Sequence, residues 1–397
     1  CALPILFFVF GLHIMVGQTT TSGIKGIVKS SSNELLPGAT VLAIHTPSGT
    51  KYSALSNADG RFNMLNMRIG GPYKIVVSFV GYKNQEFNDV YLELGKAFGL
   101  DIVMQDESQK LEEVKVVGAK NKVFQSGRTG AETTVGRREL AVLPTISRSA
   151  EDFTRLEPSA SGGSFGGRND QYNNYSLNGA VFNNPFGLDA ATPGGQTGSQ
   201  PISLDAIDQI QVATAPYDVT LSGFTGASVN AVTKSGTNEF HGTAYTFYRN
   251  QDLTGNKVHG EKIFVPSLEQ TQAGLSIGGP IVKDKLFFFA NYEIDKRSDL
   301  GSNVVANDGN ATTGVNESRV LASDLMHVST ELGKLGYNTG AYQGFTHNSD
   351  SNKGIIKLDW NINDNHKLAF IYNFLDASKD KPAHPTAILR REIGRAH

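Results

Sequence analysis

The feature that most limits what this chain can fold into is a set of long segments of strict alternation towards its C-terminal end. In KLFFFANYEI, residues Leu286, Phe288, Ala290, Tyr292 and Ile294 share one face, while Asn291 and Glu293 point the other way. In GIIKLDWNI, Ile356, Leu358, Trp360 and Ile362 lie opposite Lys357, Asp359 and Asn361. In HKLAFIYNF the apolar face is Leu368, Phe370, Tyr372 and Phe374. Successive side chains of a strand point to opposite faces, so each segment has one oily wall and one wet wall. Alternation sustained over about ten residues is the pattern of a membrane β-barrel strand, and aromatics near its ends suit the bilayer interfaces.

The connections separate a barrel from a soluble sandwich. A first strand, about Thr243 to Arg249, is followed by the polar stretch 250–272 before a second, Ala273 to Gly279. A short turn through Pro280 to Asp284 leads to the third strand, and the polar stretch 295–352 leads to the fourth, which starts near Lys353. Asn363-Asp364-Asn365 turns into the fifth. The order long, short, long, short is that of outer-membrane barrels, whose periplasmic turns are short and extracellular loops long. A soluble sandwich has no reason to keep its long loops at one end. Five strands cannot close, and open edges in lipid cost several kcal/mol per unpaired backbone group. Transporters of this architecture close around a plugged lumen at about 22 strands. Residues 237–391 are therefore read as the first strands of an incomplete transmembrane β-barrel.

Composition agrees with export of a mainly β chain. Thirty-six basic residues balance 38 acidic ones, which gives no electrostatic reason to expect nucleic acid as a partner. The 43 glycines and 19% charged residues fit many short strands and turns. One cysteine, Cys1, excludes a disulfide framework and a cysteine zinc site. Ala2 to Val16 is an apolar run too short for a comfortable membrane span, followed by Gly17-Gln18-Thr19-Thr20. Residues 1–20 are read as a signal peptide entered partway, since no charged leader or initiator Met precedes the run; a retained anchor helix is the alternative. Glu392 to His397 has the look of a translated sequencing adapter, so 392–397 is expected to be non-native and the chain a fragment cut at both ends.

Residues 22–104 break into short alternating strands, GIKGIVKS, ATVLAIHT, RFNMLNM, YKIVVSFVGY and FGLDIVM, separated by turn material such as Leu36-Pro37-Gly38 and Asn57-Ala58-Asp59-Gly60. That spacing suggests a small sandwich. The runs LPGATV, NADGRFNM and GGPYKIVVSFVGYK resemble the carboxypeptidase-regulatory-like domain, which implies an immunoglobulin-like fold without catalysis. Residues 105–118 follow as a linker holding Leu111, Glu112, Glu113, Val114, Lys115, Val116, Val117 and Gly118. This short β-branched segment can add a strand to a partner's sheet edge, or equally begin the next domain. Residues 119–236 are rich in Gly, Asn and Ser, with a helix candidate around Ala150 to Leu156 and loops too polar for an ordinary core. Within them, NNYSLNGAVFNNPFG (Asn173 to Gly187) and the run Leu204 to Gly242 resemble the plug of Oar-like TonB-dependent receptors. One departure is Leu221-Ser222-Gly223, where a Gly-Gly pair is expected. The fold class is thus mainly β: an immunoglobulin-like β-sandwich, an α+β plug, then barrel strands.

The resemblance implies a receptor of the Gram-negative outer membrane in contact with its lipid. In such receptors the segment 111–118 acts as the TonB box, engaged by TonB with its inner-membrane energising complex. Siderophores, oligosaccharides and peptides are the substrate classes it suggests, with a surface lipoprotein as a further partner. Adhesion, protein export or signalling without uptake is the competing role. Substrate contacts are expected from the plug loop around Tyr175, Asn178, Phe182 and Asn183, although the same aromatic and amide groups suit packing inside the plug. Catalytic chemistry finds no support. Gly162-Gly163-Ser164-Phe165-Gly166 fits G-x-S-x-G but sits in a flexible polar stretch rather than between a buried strand and a helix. The nine histidines are scattered, none at helical i, i+4 spacing, and neither a metal nor a cofactor is implied.

Overall fold

The computed structural model describes residues 19–106, 130–183, 192–216, 221–310, 316–363 and 366–380. The signal segment up to residue 18, the whole of 111–118 and the tail 392–397 lie outside the described residues. The described residues fall into two compact units: those up to 183 with those of 207–234 and 361–367, and those of 192–206, 235–360 and 368–380.

The first unit begins with the sandwich. Its strands are β1 (Ser22–Ser30), β2 (Thr40–His45), β3 (Thr50–Leu55), β4 (Arg61–Met67), β5 (Gly70–Ser78), β6 (Gln85–Leu92), β7 (Ala97–Gly99) and β8 (Ile102–Met104). One sheet runs β4-β1-β7 with β8 also on β1, and the other runs β3-β2-β5-β6. Alternation decides the faces: Phe62 and Met64 of β4, and Tyr73, Ile75 and Val77 of β5, point into a core shared with Ile24, Val28, Val41 and Met104. Burying such side chains contributes roughly 1.5–3 kcal/mol each. The sequence reading missed β3 and β6, because TKYSAL and QEFNDVYL carry polar residues on the face that stays wet. FGLDIVM, read as one strand, divides into β7 and β8, both parallel to β1.

The same unit holds a five-stranded sheet from the stretch that the sequence reading assigns to a plug, in the order β13-β12-β15-β14-β9. Its members are β9 (Gly130–Val135), β12 (Asn174–Leu177), β13 (Ala180–Val181), β14 (Ile207–Pro216) and β15 (Ser228–Thr233), with a small hairpin of β10 (Ala160–Ser161) and β11 (Ser164–Phe165). Two short helices accompany it. Helix α1 (Arg137–Val142) was not foreseen, and α2 (Glu151–Thr154) is the four-residue remnant of the candidate at 150–156. Propensity over so few residues is weak, and Asp152 accepts the Ser147 and Ser149 N–H groups ahead of the helix, which fixes its start.

The second unit is an antiparallel meander of β16 (His241–Asn250), β19 (Leu268–Val282), β20 (Leu286–Leu300), β23 (Thr346–Asn361) and β24 (Lys367–Lys379). Two tiny strand pairs decorate the long connections: β17 (Lys257–Val258) with β18 (Glu261–Lys262), and β21 (Val305–Asn307) with β22 (Glu317–Leu321). A helix, α3 (Ala322–Lys334), also interrupts the stretch read as loop. The foreseen faces hold: Ile356, Trp360, Leu368, Phe370 and Tyr372 are open to the surroundings, while Glu293, Lys353 and Lys357 are buried on the other face. The strands extend beyond their expected ends because polar pairs, which carry no apolar signal, continue the ladder from Asp295↔Ser351 to Leu300↔Thr346. Among the described residues no helix is long and apolar enough to cross a membrane, which says nothing of strands.

Candidate functional site

One row of residues crosses the meander's polar face. Tyr245 on β16 is the register partner of Gly274 on β19, Gly274 of Glu293 on β20, and Glu293 of Lys353 on β23. Directly opposed residues share a face, so the row gathers its side chains at one place. Glu293 has no exposed surface. Its Oε1 lies 2.8 Å from Lys353 Nζ and accepts the Gln272 amide at 2.9 Å. Its Oε2 accepts the Tyr245 hydroxyl and, at 2.7 Å, the hydroxyl of Ser203. Both carboxylate oxygens are therefore satisfied, the condition under which a buried charge is tolerated.

Gly274 makes the row work. A Cβ at this position would stand 2.4 Å from the Tyr245 hydroxyl oxygen, so the phenol crosses to Glu293 only over a residue without a side chain. The segment 192–206 supplies the other half of the junction. Ser203 opens a 3-10 turn, Leu204–Ala206, and its oxygen accepts the Asp205 N–H at 3.2 Å. Asp205 in turn accepts the Thr243 hydroxyl at 2.8 Å, and the Pro201 carbonyl accepts from Asn373 at 3.4 Å. A stretch assigned by sequence to the plug is thus fastened along the polar face of β16, β20 and β24. Chemically the arrangement binds and holds. It offers no group poised to attack, and among the described residues no three His, Cys, Asp or Glu side chains gather to hold a metal. Sequence reasoning placed Glu293 on the wet wall but did not foresee its partners; the signal available was the shared parity of Glu293 and Lys353 on consecutive long strands.

The sequence-predicted plug residues come together on a hairpin. β12 and β13 pair antiparallel across Asn178-Gly179, at φ 50° and 83°. Positive φ at both central residues is what a two-residue hairpin turn requires, and Asn-Gly supplies it at least cost. Asn178 Oδ1 accepts both the N–H and the hydroxyl of Thr233, at 2.9 and 3.0 Å. Asn183 Oδ1 accepts the Tyr175 N–H at 2.6 Å, while its amide donates to Asn174 at 3.0 Å. The Phe182 N–H closes the hairpin mouth on the Tyr175 carbonyl at 2.7 Å. Burial, then the Glu151 carboxylate, pushes the Tyr175 phenol up to about 12, so it stays a neutral hydroxyl. Ser164 lies in the two-residue strand β11, paired with Ser161, which is not the strand-to-helix elbow a nucleophile of that motif needs.

Residues 23–105 match the carboxypeptidase regulatory-like domain family, and residues 232–314 match the outer membrane beta barrel domain family. The TonB-dependent transporter Oar of Myxococcus xanthus is 28% identical over 243 residues, 57% of this chain and 21% of its own length. The TonB-dependent receptor SusC of Bacteroides thetaiotaomicron is 33% identical over 130 residues, 33% of this chain and 11% of its own. The chain thus spans about a fifth or less of the length of these relatives. Among solved structures, the outer membrane transporter YddB from Escherichia coli aligns at 14% identity and a TM-score of 0.43, covering 64% of this chain and 34% of that one. With a regulatory-like sandwich ahead of strands that match an outer membrane beta barrel domain, the chain is similar to TonB-dependent transporters and receptors, and its place is the Gram-negative outer membrane.

Proposed function

We propose that the receptor containing this chain takes up its substrate across the outer membrane by energy-coupled transport. The observation that carries the reading is the Ser203–Glu293 junction: a segment of the plug stretch is held on the polar wall of the barrel strands by bonds that are numerous but individually breakable. In this reading a segment fastened this way holds at rest and gives way under load. The load would come through Leu111 to Gly118, the TonB-box segment, joined as an added strand by TonB and its energising complex. The sandwich and plug face the periplasm in this reading. No cofactor is assigned.

For the substrate, the resemblance suggests siderophores, oligosaccharides or peptides, delivered from outside with or without a surface lipoprotein. On the plug hairpin we assign Phe182 to the substrate-facing surface. The side-chain oxygens of Asn178 and Asn183 are given to the sheet itself, since they already accept from Thr233 and Tyr175.

The test is deletion of Leu111 to Gly118 in the full-length receptor, with surface display checked by protease protection. Loss of uptake and of growth on the transported substrate, with display unchanged, supports the proposal. Unchanged uptake and growth overturn it in favour of adhesion, export or signalling.

A further inference from the structure

We infer that the sandwich is not a free tether in front of the plug but is docked on it, through a side-chain amide of the plug that takes the place of a strand. The amide is that of Gln209 in β14. Its Oε1 accepts the Leu94 N–H at 2.8 Å and its Nε2 donates to the Leu92 carbonyl at 3.1 Å. A C=O and the N–H two residues on are the pair of groups that a neighbouring strand would engage along an edge. They belong here to the end of β6 and the residue pair after it. Gln209 is buried, so both ends of its amide need partners, and both have them in the sandwich.

Three further contacts fall around the same place. Ile69 and Leu94 of the sandwich form a closed apolar cluster with Val232 of β15. Gly95, at φ 71°, lies so close to the plug that a Cβ would meet the Gln211 amide nitrogen at 2.7 Å. Ahead of β1, the Thr19 carbonyl accepts the Asn230 amide of β15 at 2.7 Å. An apolar cluster, a close backbone approach and two buried amides on adjacent plug strands make a built interface. Its docking face on the sandwich is Ile69 with Leu92 to Gly95, and its occupant is the β14–β15 pair of the same chain.

The inference stands apart from the uptake proposal, because neither readout involves transport. In the purified full-length receptor, hydrogen exchange of the Leu94 amide is compared between wild type and Gln209→Ala. Exchange at least about tenfold faster in the variant, with the β2 and β5 amides unchanged, is the expected result. As a second measurement, Leu94→Cys with Val232→Cys is oxidised under mild conditions. Cross-linking far above that of a Val80→Cys and Val232→Cys control is expected, since Val80 is 91% exposed on the sandwich surface. Equal Leu94 exchange in both proteins, or cross-linking no better than the control, overturns the docking.

Discussion

Glu293 and Lys353 are register partners on adjacent strands, and their side chains close an ion pair of 2.8 Å from which water is almost wholly excluded. In such a place the pair is worth less than its Coulomb attraction suggests, because both charges have lost their hydration. Removing one partner is another matter. Lys353→Met leaves a buried carboxylate with only neutral donors, and about 3–5 kcal/mol of stability should be lost. Lys353→Met with Glu293→Gln should recover most of that loss. Denaturant unfolding of the full-length receptor in detergent, read as a double-mutant cycle, checks both values. Single variants within about 0.5 kcal/mol of wild type would mean that the pair is solvated.

The crossing of Tyr245 over Gly274 makes a second, sharper prediction. Gly274→Ala sets a Cβ 2.4 Å from the Tyr245 hydroxyl and 2.6 Å from its ring carbon. The ring must leave, and Glu293 loses one of its donors. A cost of about 1–3 kcal/mol is expected from overpacking and the lost bond together. In a Tyr245→Ala background the same Gly274→Ala change should cost much less, since only the Tyr292 carbonyl oxygen, 3.0 Å away, stays close to the new Cβ. Equal costs in both backgrounds would place the strain elsewhere.

These residues mark where the sequence is legible. Alternation along KLFFFANYEI and GIIKLDWNI reports the face of every residue, because a strand has a fixed period of two. It carries no information on register, so nothing local in the sequence says that Gly274 stands between Tyr245 and Glu293. For the same reason Ser203, forty-two positions from Tyr245, has no local mark of its role. The Asn178-Gly179 turn was there to be read, since Asn-Gly between short alternating runs is a hairpin signal. Its flanking strands, NYSL and AV, are too short to stand out. Helix α3 was masked by the polar character of a surface connection, where none of its residues is buried.

His45 gives the sandwich a pH dependence. Its ring packs 4.9 Å from that of Tyr73, and Nδ1 lies 2.6 Å from the Ser48 hydroxyl. Burial first, then the positive charges of Arg68, Arg137 and Lys367, holds the imidazole down to about 3. An unfolded histidine protonates near 6.5, so below that pH the unfolded state binds the extra proton and the folded state does not. This group is neutral to stability above pH 6.5 and subtracts about 1.4 kcal/mol for each pH unit from there down towards 3. His45→Asn, which keeps a polar partner for Ser48, should flatten the fall by about one proton between pH 6.5 and 4.5. Hydrogen exchange of β2 and β5 against pH reads the slope, and parallel slopes for wild type and variant would contradict the buried neutral imidazole.

The plug hairpin separates construction from recognition. Asn178 holds a left-handed backbone and ties the turn to Thr233 through one side-chain oxygen, so Asn178→Ala should destabilise the plug by about 1–2 kcal/mol. Gly179→Ala, at φ 83°, should cost about 1 kcal/mol by forcing a Cβ into the same left-handed region. Asn178→Asp keeps the oxygen that Thr233 uses and should cost less than Asn178→Ala. Phe182 makes its structural bond through the backbone N–H, which Phe182→Ala retains. That variant should leave plug exchange near wild type and weaken substrate binding by the full-length receptor instead. Hydrogen exchange of β12 and β15, measured beside binding affinity, gives each variant two coordinates. Asn178 variants displaced along stability and Phe182→Ala along affinity fit the division; an Asn178→Ala receptor with intact plug exchange and lost binding would reverse it, moving recognition onto the amide.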